Sequence, residues 1–108
     1  MSTHSNIGKR LPNGTYRYVY CHFDGYPSGV GRILLEHYQD EAKIDALLDL
    51  GELSSLGGTL ESSVAYARDR GEHLTPADIA TSRDDVFEQS YAYVWGRRQV
   101  ALDRINAG

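Results

Sequence analysis

The sequence predicts an α+β fold, with an antiparallel sheet of two terminal β-hairpins and the central helices packed on one face. Residues near each end alternate with period two, the strand period. Gly- and Asn-containing breaks interrupt both alternating stretches. Apolar residues in the middle recur at helical spacing.

The elements follow in chain order. Leu11-Pro12-Asn13-Gly14 is a turn signal, since Asn-Gly favours positive φ. Thr15 to Phe23 is rich in β-branched and aromatic residues and reads as a strand, paired with a shorter one at Ser5 to Lys9. Alternation puts Val19, Cys21 and Phe23 on one face, the core face, and Tyr16, Tyr18, Tyr20 and His22 on the other. Asp24 to Gly29 breaks the strand. A helix is predicted from Gly29 to Tyr38, with Ser28 as N-cap and Val30, Ile33, Leu34 and Tyr38 as its apolar stripe. A second helix runs from Glu41 to Leu50, capped by Asp40, with Ile44, Leu47 and Leu48 buried and Gly51 at the C′ position.

Leu53 to Gly58 reads as a Ser/Gly-rich connection. Thr59 to Arg70 is open between helix and strand, its apolar residues slightly favouring helix. Thr75-Pro76-Ala77-Asp78 resembles the start of a short helix, and Thr81 to Asp85 is polar. The second hairpin comprises Tyr91 to Trp95, a turn at Gly96-Arg97-Arg98, and a return strand from Gln99 to Ile105. Within it Tyr91, Tyr93 and Trp95 share one face, and Ala92 and Val94 the other. With the small residues Ala92, Val94, Val19 and Cys21 turned to the helices, Tyr16, Tyr18, Tyr20, Tyr91, Tyr93 and Trp95 form an aromatic stripe on the far side.

The chain has 108 residues, 41% hydrophobic and 24% charged, which fits one globular domain over residues 1–108. Its net charge of −4 argues against direct binding of nucleic acid, because phosphate neutralisation needs basic residues. It leaves room for an acidic protein that docks on a basic partner. The lone Cys21 forms no internal disulfide. No apolar h-region opens the chain, and no apolar run reaches the roughly 20 residues of a membrane span. A cytoplasmic protein is expected, with no metal or other cofactor; four scattered His and one Cys match no zinc signature. Oligomeric state is not encoded in these features.

Four places hold candidate chemistry. The aromatic stripe is weighed equally as a binding face and as ordinary cross-strand packing. His22 and Asp24 share a face and could form half of an acid–base device, although Asp24 also suits a turn. Tyr20 or Tyr26 could stack a nucleotide base, with phosphate at the first helix N-terminus beside Arg32, although no complete phosphate-loop motif is present. Asp40, Glu41, Asp45, Asp49 and Glu52 form an acidic edge or a solvated helix face.

The run Tyr20-Cys21-His22-Phe23-Asp24-Gly25-Tyr26-Pro27, with Gly29-Val30-Gly31, His37-Tyr38-Gln39-Asp40, Leu53-Ser54-Ser55-Leu56-Gly57, Arg68-Asp69-Arg70-Gly71-Glu72 and Tyr91-Ala92-Tyr93-Val94-Trp95, resembles a family of short phage and prophage proteins. The resemblance spans most of the chain except Leu74 to Gln89. It implies a mobile genetic element as the setting, without a fixed activity. In that setting a small acidic protein is expected to be an anti-defence inhibitor, anti-CRISPR-like, that binds a host defence protein or ribonucleoprotein complex in the host cell. A nucleotide-sequestering protein is the alternative, and a small hydrolase-type enzyme using His22 and Asp24 the third reading.

Overall fold

The computed structural model describes residues 3–86, 88–96 and 99–105. Strands β1 (Ser5–Arg10) and β2 (Tyr16–Cys21) form the first hairpin, with Ile7 opposite Val19 and Ser5 opposite Cys21. Its loop is closed by Asn13, whose Oδ1 accepts from the Thr15 N–H at 3.1 Å and the Thr15 hydroxyl at 2.6 Å. Leaving β2, the chain makes a five-residue π-helical turn, Pro27–Gly31, that runs directly into α1 (Arg32–His37). Pro27 occupies the first position of that turn and no side chain caps it. Ser28 therefore lies inside the turn and is not the N-cap the sequence predicts. Val30, Leu34 and Tyr38 are buried as their spacing predicts.

Helix α2 (Glu41–Asp49) follows, burying Ile44, Leu47 and Leu48. It ends where Gly51, at φ +77°, donates its N–H to the Leu48 carbonyl. A Cβ at Gly51 would run into the Thr75 carbonyl oxygen. Gly51→Ala therefore combines left-handed strain with a backbone clash. It should cost at least about 1–2 kcal/mol, read as a lower midpoint of urea unfolding.

The expected loop at 53–58 contains a short strand, β3 (Leu53–Ser55), parallel to β2. The ambiguous stretch resolves into both candidates, β4 (Val64–Ala65) and then α3 (Tyr66–Arg70). The helix expected at Thr75 is absent. Its place is taken by β5 (Asp78–Ala80), which pairs with the first half of β2. The polar stretch after it holds α4 (Arg83–Val86), and the second hairpin is β6 (Tyr91–Gly96) with β7 (Gln99–Ile105). The turn residues Arg97 and Arg98 lie outside the described residues.

The class is α+β, a seven-stranded sheet ordered β4-β3-β2-β1-β6-β7 with β5 also on β2. Each terminal hairpin is antiparallel, as expected, but the pairs β1–β6 and β2–β3 are parallel. The sheet is therefore mixed. The core joins Ile7, Val19, Cys21, Tyr93 and Trp95 of the sheet to Val30, Leu34, Tyr38, Ile44, Leu47 and Leu48 of the helical layer. A smaller cluster of Tyr16, Ala80, Val86 and Ala92 occupies the opposite face, so α4 covers part of the side that was expected to be free of helices.

The parallel β1–β6 register decides where the rings go. Tyr93 stands opposite Ile7, Tyr91 opposite Ser5 and Trp95 opposite Lys9. Paired residues point to the same side of a sheet. Tyr91, Tyr93 and Trp95 therefore share the helix side with Val19 and Cys21, while Ala92 and Val94 share the far side with Tyr16, Tyr18 and Tyr20. The six-ring stripe does not exist; it is split across two faces. Phe23, expected in the core, is 42% exposed, because β2 ends at Cys21 and the chain turns away through Asp24 at φ +57°.

Candidate functional site

On the far face, the strand residues Asn6, Tyr18 and Tyr20 floor an open groove of about 400 Å³. Its rim comes from His4 before β1, Glu52 beyond α2, Asp78 on β5, and Glu88-Gln89 between α4 and β6. Register explains the floor: Asn6 pairs with Tyr20 and Gly8 with Tyr18, all pointing away from the helical layer, and Asp78 stands opposite Tyr18. Asn6 is 2% exposed, and its Nδ2 donates to the Val86 carbonyl at 2.8 Å.

The groove is electronegative. The Tyr18 phenol is pushed above its ordinary value first by partial burial, then by Asp78, Glu88 and Asp85. The Tyr20 phenol is raised by burial first, with Glu52 among the charges adding to it. Among the residues whose side chains are described, no cation pairs with Glu52, Asp78 or Glu88. The acids of α2 are engaged elsewhere. Glu41 and Asp45 meet Lys9 at 2.7 and 2.9 Å, and Asp49 meets Arg17 at 2.6 Å. Burial pulls the Lys9 ammonium down, but its bonds to those two carboxylates outweigh this and its pKa ends above the ordinary lysine value. The acidic edge expected on α2 is thus largely spent within the fold, and Glu52 alone of that set reaches the groove.

A ring cluster continues from the groove toward the loop after β2. His4 meets Tyr20 edge-on at 5.4 Å and stacks on His22 at 4.5 Å, and His22 meets Phe23 at 4.6 Å. Tyr20 Oη and His22 Nδ1 lie 2.7 Å apart. Asp24 accepts a hydrogen bond from the Tyr26 hydroxyl at 3.2 Å, and the Tyr26 phenol is raised chiefly by that bond.

The ten residues singled out in the sequence therefore separate. Tyr18 and Tyr20 line the groove, and His22 abuts it through Tyr20. Tyr16 is buried at 8% exposure beside Ala80, Val86 and Ala92. Asp24 and Tyr26 form their own exposed loop, and Arg32 is held by Glu36 at 3.0 Å on the outer side of α1. Tyr91, Tyr93 and Trp95 belong to the opposite face. There the Tyr93 hydroxyl donates to the Gly25 carbonyl at 2.8 Å and Trp95 Nε1 to the Gln39 carbonyl at 2.9 Å. Their polar tips are used to pin the crossover segments.

Sequence reasoning missed His4, Asn6, Asp78, Glu88 and Gln89. The parity of β1 would have placed His4 and Asn6 beside the tyrosines once its pairing was known; Asp78, Glu88 and Gln89 arrive only through tertiary contacts. Cys21 is fully buried and its thiol is pushed up to about 12, mainly by burial, so it is no nucleophile. Among the described residues, no group of three or more His, Cys, Asp and Glu side chains is placed to hold a metal ion. No helix among them is long and apolar enough to cross a membrane. Comparison with known proteins gave no match: no family model, no curated protein and no solved structure is similar to this chain.

Proposed function

We propose that this protein is a phage-encoded anti-defence inhibitor, anti-CRISPR-like, that binds a basic surface of a host defence protein complex in the host cytoplasm. The observation that carries the binding part of this reading is the acidic, tyrosine-floored groove, in which Glu52, Asp78 and Glu88 surround Tyr18 and Tyr20. Tyrosine is favoured at interface hot spots, and a concentrated acidic patch speeds encounter with a basic partner. The phage setting rests on the resemblance of the Tyr20 to Pro27 run and its companions.

The nucleotide-sequestering alternative has less support. The groove presents carboxylates where a nucleotide brings phosphates. Arg32, the cation assigned to phosphate, is paired with Glu36 on a six-residue helix. The enzyme reading is weaker still, since neither His22 nor Asp24 lines the groove.

The test is phage challenge of cells carrying individual defence systems, with and without this protein, joined to capture of the purified defence complexes. The expected result is restored plaquing against one system and a stable complex with its effector. The double variant Asp78→Lys, Glu88→Lys should weaken that capture about 100-fold, through like-charge repulsion, at unchanged melting temperature. Failure of the wild-type protein to restore plaquing or capture a complex across the panel overturns the proposal.

A further inference from the structure

We propose that β5 is a docking edge, on which an extended segment of a partner protein adds one more strand. The segment carries basic residues on one of its faces and apolar residues on the other. This rests on the protein-binding reading above and names the form and chemistry of the partner segment that reaches the groove.

The first support is the backbone of β5. Asp78–Ala80 pairs with β2 on its inner side, and no strand among the described residues pairs with its outer side. Nor does any backbone hydrogen bond from a described loop reach those three residues. Asp78 and Ile79 are exposed, as are residues 71–76 that lead into the strand. Ile79 is 59% exposed, the highest value among the large apolar side chains described. An open strand edge offers main-chain donors and acceptors in a row, a template for one more strand.

The second support comes from the local sequence. Thr75, Pro76 and Asp78 stand at the N-cap, N1 and N3 spacing of a helix start, yet Asp78–Ala80 is extended. Pairing on one side holds the segment against that preference. Conflicts between local preference and the adopted structure concentrate at functional sites. A strand added outside β5 supplies the pairing that the open side lacks and favours the extended state further.

Parity then defines the occupant. Ile79 stands opposite Arg17 and shares its helix side, while Asp78 and Ala80 stand opposite Tyr18 and Tyr16 on the groove side. On the helix side Arg17 is tied to Asp49 at 2.6 Å, which leaves the apolar surface of Ile79 as the feature to match. On the groove side, burial first and then Asp78, Glu88 and Asp85 raise the Tyr18 phenol, so the charge there is negative. A segment of alternating basic and apolar residues matches both faces. A second copy of this chain does not, because antiparallel pairing of two β5 edges puts both sets of these acids on one face of the joined sheet.

The experiment is an amide-resolved NMR titration of the intact protein with the peptide acetyl-Arg-Val-Arg-Val-Arg-amide. It should shift the amides of Asp78, Ile79 and Ala80 with a dissociation constant of about 1 mM, as fits so short a ligand. Acetyl-Arg-Arg-Arg-Val-Val-amide, equal in composition and charge but without alternation, should bind about tenfold more weakly. N-methylation of the two valines in one peptide, and of the three arginines in another, blocks the two strand edges in turn. One of these peptides should keep binding and the other lose it. Ile79→Thr, which keeps a β-branched residue at this exposed position, should weaken the alternating peptide about threefold. Absence of shifts at β5, equal binding of the two sequences, or binding retained by both N-methylated peptides would each overturn the docking edge. The two readings also fail separately. Peptide binding at β5 without any captured defence complex upholds the edge and removes the anti-defence role. A captured complex weakened by Asp78→Lys, Glu88→Lys but indifferent to Ile79→Thr does the reverse.

Discussion

Tyr93→Ala is expected to lower the melting temperature by roughly 15–30 °C. Tyr93 is 2% exposed. Its ring lies so close over Gly31 that a Cβ there would come within 2.8 Å of it. Its hydroxyl ties the buried Gly25 carbonyl, at the start of the crossover, to the centre of the sheet. Truncation removes a buried aromatic, worth about 3–5 kcal/mol, out of a typical total stability of about 5–15 kcal/mol. Tyr93→Phe keeps the packing and leaves the Gly25 carbonyl without its donor, which should cost about 1–3 kcal/mol. Tyr18→Ala removes a similar ring from the half-buried groove floor and should cost much less than Tyr93→Ala. Thermal unfolding of the three variants checks the set. If Tyr18→Ala and Tyr93→Ala prove equally damaging, the assignment of the two tyrosines to unlike faces is wrong.

That comparison also marks the limit of what alternation can reveal. Period-two patterning sorted Val19 and Cys21 from Tyr16, Tyr18 and Tyr20 correctly, and sorted Tyr91, Tyr93 and Trp95 correctly from Ala92 and Val94. It could not say which face of β6 joins which face of β2. That is set by register against β1, and a slip of one residue reverses every side chain. The rule that small residues face helices pointed the wrong way. The space beneath the helical layer is deep enough for Tyr93 and Trp95, whose polar tips find carbonyl partners at Gly25 and Gln39. The Thr75-Pro76 capping signal failed for a related reason. The pairing of Asp78–Ala80 with β2 buries Ala80 and outweighs local helix preference. The helices at 32–37 and 41–49 were legible because their apolar stripes and the Gly51 stop lie within one segment.

The groove was half legible. Tyr18 and Tyr20 could be named from strand parity, and Glu52 from its place in an acidic run. Asp78 and Glu88 could not, because nothing local links them to the tyrosines. The fold consumes the acids of α2 against Lys9 and Arg17, both on the helix side of the sheet. Acidity in the sequence therefore pointed to α2, while the carboxylates of the groove sit on the other side of the sheet.

Alkaline conditions should destabilise the protein through Cys21 before any other buried group. The thiol is fully buried, and burial, with a smaller contribution from Asp24, raises it from 9.0 to about 12 against the opposing effect of a backbone hydrogen bond at Phe23. Below pH 9 the thiol is protonated in the folded and unfolded chains alike, and the stability tied to it is fully present. Between pH 9 and 12 the unfolded chain sheds the proton and the folded chain keeps it, so stability falls as pH rises. A thiol that holds its proton from 9.0 up to about 12 corresponds to about 4 kcal/mol lost by pH 12. The phenols of Tyr38 and Tyr93, raised chiefly by burial, add to the loss above pH 10. From pH 8 to pH 10 the wild-type protein should lose about 1.4 kcal/mol more than Cys21→Ala, read from urea midpoints at the two pH values. The alanine variant begins lower because of its cavity, so the pH slope and not the starting value is diagnostic. The same burial should leave the native thiol unreactive toward a thiol reagent at pH 8. Equal slopes in the two proteins, with rapid labelling of native Cys21, would mean that the thiolate is accessible and that the burial assigned to Cys21 is wrong.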